Sequence, residues 1–153
     1  MEQRQLINIL LFEDSDDDVL FIKRILENET FIIRVYPCSN EIQLKQYQVK
    51  LSPDVILSEY FLDHFDGVFL LNYCRKTYPK VPFIFVTDLK SIKWLKDTAL
   101  SLADAYIGKS NLSDLPILLK QFRFNQTKRN TILNQGRNLI AIKAYMNEIN
   151  REK

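Results

Sequence analysis

The sequence predicts an α/β protein built on a doubly wound, five-stranded parallel sheet. Five short apolar runs carry that prediction: INILLF (7–12), FIIRVY (31–36), DVILS (54–58), PFIFV (82–86) and DAYI (104–107). Stretches with helical periodicity lie between them, and three of the runs are almost continuously apolar, as strands must be when helices cover both faces. Regular alternation of strand and helix implies parallel strands joined by crossover helices.

The first run feeds an acidic loop and then a helix with a readable start. Ser15 caps it, Asp18 completes a capping box, and Asp16 and Asp17 favour the positive end of the helix dipole. Val19, Ile22 and Leu26, together with Phe21 and Ile25, supply its buried face. Further helices are predicted over 39–49, 65–78, 90–102 and 111–124. Beyond Phe124 the chain again reads as helix, with Ile132, Leu139, Ile142, Met146 and Ile149 at coiled-coil-like spacing, interrupted by Gln135 and weakened by Gly136. The expected organisation is a domain over 1–124 and a C-terminal helical extension over 125–153 that offers a route to a homodimer.

Composition bounds the rest. A chain of 153 residues with 46% hydrophobic and 26% charged residues, three Gly and five Pro can bury a real core. Cys38 and Cys74 are too few for a disulfide framework and lack metal-ligand spacing, so both are expected to be reduced, in a cytoplasmic protein. The apolar run at 6–12 is far too short to span a bilayer, and neither a membrane span nor an export signal is expected. The net charge of +2 is uneven: residues 1–122 carry 14 Lys and Arg against 17 Asp and Glu, and the last 31 carry 7 against 2. That basic tail is the one feature favouring an alternative, nucleic-acid-binding role, yet no base-reading motif accompanies it.

In open α/β sheets, sites form outside the carboxyl ends of the strands. The first predicted strand delivers Glu13 and Asp14 there, the third Glu59, and the fourth Thr87 with Asp88. The fifth leads through Tyr106 to Lys109. Carboxylates gathered in this way need a cation, either a hard ion such as Mg²⁺ or the Lys109 ammonium.

With these residues in view, the sequence resembles the response regulator receiver family of two-component signalling. The segments that carry the likeness are ILLFEDSDDD, PDVILSEYFLDHFDG, PFIFVTD and DAYIGKSNL, in family order and spacing over about residues 6–124. The resemblance implies a flavodoxin-like sheet in the order 2-1-3-4-5 and an aspartate that takes a phosphoryl group from a histidine kinase with Mg²⁺ help. It assigns metal binding to Glu13 and Asp14, with the acceptor carboxylate and the Phe61 backbone carbonyl. Thr87 and Tyr106 become the switch pair and Lys109 the phosphate-contacting lysine. The expected partner, a histidine kinase or an output protein, meets the face built by the fourth helix, the fifth strand and the fifth helix.

At the acceptor position this chain departs from the pattern, because Glu59 stands where the family has aspartate. Its carboxylate lies one methylene further out, a displacement of about 1.5 Å that in-line phosphoryl transfer tolerates poorly. Two outcomes follow for the side chain: it reaches Lys109 or Thr87 and imitates a phosphorylated aspartate, or it pairs with Lys109 and locks an inactive state. The leading expectation is a phosphorylation-independent receiver acting through protein contacts, with Mg²⁺ binding weakened. A chain still phosphorylatable, or handling phosphoryl groups with Mg²⁺, is the alternative.

Several residues have plainer readings. Asp16, Asp17 and Asp18 are explained as capping and first-turn residues and stay outside the expected site. His64, the only histidine, sits in a polar loop with no relay role expected, and Asp66-Gly67 fits a turn. Trp94 divides evenly between a partner anchor and half-core packing. No P-loop, Rossmann glycine pattern or catalytic His or Cys pairing is present, so no enzyme is expected.

Overall fold

In the computed structural model, which describes residues 4–27 and 31–124, strands and helices alternate as the periodicity requires. The strands are β1 (Leu6–Phe12), β2 (Ile32–Cys38), β3 (Val55–Ser58), β4 (Phe83–Thr87) and β5 (Ala105–Gly108). The helices are α1 (Asp16–Leu26), α2 (Glu41–Lys50), α3 (Gly67–Thr77), α4 (Leu89–Leu95) and α5 (Leu115–Phe124). All strand pairs are parallel, in the order β2-β1-β3-β4-β5.

The pleat divides each central strand between two cores, because successive side chains point to opposite faces. Ile7, Ile9 and Leu11 of β1 join Val55, Leu57, Ile84 and Val86 beneath α1 and α5. Leu10 and Phe12 join Ile56, Phe83 and Phe85 beneath α2, α3 and α4. Burying residues on both faces explains why these runs read as continuous apolar stretches rather than alternating ones. Cys38 and Cys74 are free and buried in the second core. Burial pushes their thiols up to about 11 and about 12, so both are inert at neutral pH.

Three sequence expectations change. Phe21 does not join the buried face of α1: it is 49% exposed, whereas Val19, Ile22 and Leu26 are buried. The fourth helix does not continue through 102. The Thr98 hydroxyl donates to the Leu95 carbonyl and the Ser101 hydroxyl to the Thr98 carbonyl, and such side-chain bonds compete with the helical ladder, leaving α4 to end at Leu95 and a separate 3₁₀ turn at Leu100–Leu102. The fifth helix starts late, after a 3₁₀ segment over Lys109–Asp114, with Pro116 in its first turn. Among the described residues no helix is long and apolar enough to cross a membrane. The predicted tail helix, its homodimer and the basic segment lie outside the described residues.

Candidate functional site

Strand register brings the predicted residues to one place. Phe12 pairs with Ser58, so the residues that follow them, Glu13 and Glu59, leave adjacent strands side by side. Thr87 pairs with Gly108, which sets Lys109 just beyond the end of β5. The site is walled in. Glu13 is 4% exposed, Glu59 6% and Thr87 fully buried.

Glu59 is held at both oxygens. Its Oε1 accepts from the Thr87 hydroxyl at 2.8 Å and from the backbone amides of Tyr60 and Phe61 at 3.1 and 3.2 Å. Its Oε2 lies 2.8 Å from the Lys109 ammonium. The same ammonium meets Asp18 Oδ2 at 2.7 Å and Glu13 Oε2 at 3.4 Å. Three carboxylates thus share one lysine. Burial pulls the Lys109 pKa down, but its hydrogen bonds to Asp18 and Glu59 and the charges of Glu59 and Glu13 outweigh that and raise it. Glu13 moves upward as well, chiefly through burial, with the Ser15 amide and Lys109 pulling back and the charges of Glu59 and Asp18 adding to the rise.

Asp18 is the residue that sequence reasoning missed. Its backbone amide does bond the Ser15 hydroxyl, as a capped helix requires. The return half of the capping box is replaced, however: the Ser15 amide bonds Glu13 Oε1, and the Asp18 carboxylate turns to Lys109 instead. The signal was available in the spacing. Asp18 precedes the buried Ile22 by four residues and so lies on the inward side of α1, whereas Asp16 and Asp17 face solvent.

Asp14 is not among the carboxylates that meet Lys109. It is exposed, and its Oδ2 accepts the amide of Asp63 at 2.9 Å, tying the first loop to the loop after β3. That second loop is closed by a bridge between Phe61 and Asp66. Asp66 is the N-cap of α3 rather than part of a free turn, accepting from the amides of Val68 and Phe69. Gly67 is required there, since a Cβ would fall 2.9 Å from the Tyr60 carbonyl oxygen. His64 is exposed on the same loop. Tyr106 is half-buried on β5 and packs against both cores.

As arranged, the donors do not fit Mg²⁺. Among the described residues no group of three His, Cys, Asp or Glu side chains converges as a metal site. Glu59 Oε1 is filled by three donors, its Oε2 is ion-paired with Lys109, and Asp14 Oδ2 faces an amide.

Comparison with solved structures agrees with this topology. A signal receiver domain of an HD domain-containing protein from Pseudomonas fluorescens Pf-5 superposes with a TM-score of 0.63 at 22% identity, covering 82% of this chain and 99% of that one. The fold is that of response regulator receiver domains. A CheY-like receiver domain protein from Methanospirillum hungatei JF-1 aligns with a TM-score of 0.59 at 23% identity over 83% of this chain and 98% of its own. NtrX from Brucella abortus gives 0.67 at 20% identity over 87% of this chain but 30% of its own, so there the receiver fold is one part of a longer protein. No family model and no curated protein sequence matches the chain.

Proposed function

We propose that this chain is a receiver-type signalling module that works in the cytoplasm by binding a protein partner and does not depend on phosphorylation. The observation that carries the reading is the double engagement of Glu59. One oxygen meets Lys109, the phosphate-contacting lysine of the resemblance, and the other meets Thr87 of the switch pair. A carboxylate one methylene longer than aspartate bridges the distance that phosphorylation bridges elsewhere, so the switch is set by the covalent sequence. Three carboxylates around one ammonium also leave excess negative charge facing an incoming phosphodonor.

The face formed by α4, β5 and α5 supports partner binding. Trp94 is 78% exposed, with Lys90, Lys93 and Lys96 also exposed on the same short helix. An indole among lysines suits an acidic partner with an apolar contact, as aromatic anchors dominate interface energetics. A kinase or an output protein fits this description, and the role is binding rather than turnover. Incubation with acetyl phosphate and Mg²⁺ followed by intact mass measurement is expected to leave the chain unmodified. Stoichiometric phosphorylation of Glu59 would overturn the reading.

A further inference from the structure

Carboxylates removed from water must be neutralised, because an uncompensated buried charge is strongly destabilising. In an oxygen-rich pocket a hard divalent ion is one solution, but Mg²⁺ demands a near-octahedral set of free oxygens. The oxygens here are already divided between two tasks. Glu13 Oε1 accepts the amides of Asp14 and Ser15 at 3.1 Å each, and Glu59 Oε1 accepts Thr87 and two amides. Of the four that remain on these carboxylates, Glu13 Oε2, Asp18 Oδ2 and Glu59 Oε2 surround one ammonium at 3.4, 2.7 and 2.8 Å. The ammonium donates a hydrogen bond to Asp18 and reaches Glu59 and Glu13 as ion pairs, so its charge is shared among all three carboxylates.

We propose that the Lys109 ammonium is the resident cation of this pocket, fixed there by Asp18, and that it stands in place of Mg²⁺. The shortest of the three contacts comes from α1, an element outside the strand ends that supply the other two carboxylates. Asp18 is therefore a positioning residue: it draws the lysine across the pocket so that one side chain neutralises all three acids. Ammonium and divalent ion become alternatives. Wild-type protein takes no Mg²⁺, and removing the ammonium leaves the three carboxylates uncompensated, so that they rearrange around a divalent ion. The inference rests on pocket geometry and holds whichever partner the module serves.

The test is a MgCl₂ titration against NaCl of matched ionic strength, read by thermal unfolding and by amide NMR shifts. Wild type is expected to show no Mg²⁺-specific stabilisation and no shift at Glu13, Asp18 or Glu59. Lys109→Met is expected to bind Mg²⁺ at least tenfold more tightly than wild type and to gain stability from it. Mg²⁺ binding by wild type as tight as by Lys109→Met overturns the proposal. If Lys109→Met fails to fold, the wild-type titration decides alone, Mg²⁺-induced shifts at these amides counting against the proposal and their absence for it. For Asp18, the Lys109 ¹⁵Nζ resonance is expected to be protected in wild type and lost in a folded Asp18→Asn variant; its persistence there would remove Asp18 from the role. No arm contains a phosphodonor, so these outcomes are separate from any phosphorylation of Glu59.

Discussion

Two ion clusters sit at opposite ends of the β4–β5 pair, and they are balanced differently. At the end where β4 begins, Asp104, 3% exposed, receives Arg75 Nη1 at 2.7 Å and the Phe83 amide at 2.7 Å. At the end where β5 finishes, a single ammonium serves Glu13, Asp18 and Glu59. The first cluster holds α3 to the sheet. The second gathers three carboxylates on one lysine. Burial of charge alone therefore does not mark a site, whereas unbalanced burial at the carboxyl ends of the strands does.

Substitutions can break this contrast. Asp104→Ala is expected to cost about 3 kcal/mol in urea denaturation, since it strands a partly buried guanidinium and the Phe83 amide. Its stability is expected to be indifferent to Mg²⁺, unlike that of Lys109→Met; a Mg²⁺ response in Asp104→Ala would erase the distinction between the two clusters. Thr87→Val removes one of the three donors to Glu59 Oε1 and is expected to cost about 1 kcal/mol, because two amides still hold that oxygen. A loss as large as that of Asp104→Ala would show Thr87 to be the main anchor of Glu59.

The pH response sharpens the contrast further. Burial holds Glu13 protonated to higher pH in the folded chain than in the unfolded one, above the ordinary glutamate value of 4.5. Its favourable contribution is fully present below pH 4.5 and is lost as pH rises through the raised value. Glu13→Gln removes that dependence, so its stability should fall less than that of wild type as the pH is taken from 4.5 toward neutrality. Parallel stability profiles for the two proteins would show that burial does not raise Glu13 in the folded chain.

Much of this was legible in the sequence, for reasons that can be named. The five strands and their helices declare themselves through apolar runs and 3.6-residue spacing, and the strand ends then locate Glu13, Glu59, Thr87 and Lys109. Asp18 was hidden because capping already explained it, although its spacing from Ile22 placed it inward. The bond between the Asp63 amide and Asp14 was not legible, because it depends on how the loop after β3 folds back on the first loop. The early end of α4 depended on two hydroxyls choosing backbone carbonyls, and the exposure of Phe21 on how far α1 turns its flank to solvent. These are decisions made by tertiary contacts that local pattern does not encode.

The central claim is that Glu59 fills the phosphoryl contacts because of its length. Glu59→Asp withdraws the carboxylate by one methylene, which takes from the Lys109 ammonium one of its three anchors and lets Mg²⁺ compete for the pocket, and it leaves Thr87, Lys109, Glu13 and Asp18 unsubstituted. Both proteins are to be incubated with acetyl phosphate and Mg²⁺ and measured by intact mass. The account predicts an unmodified wild type and a labile single phosphoryl adduct on the aspartate variant. An adduct on wild type, or none on either protein, would contradict it.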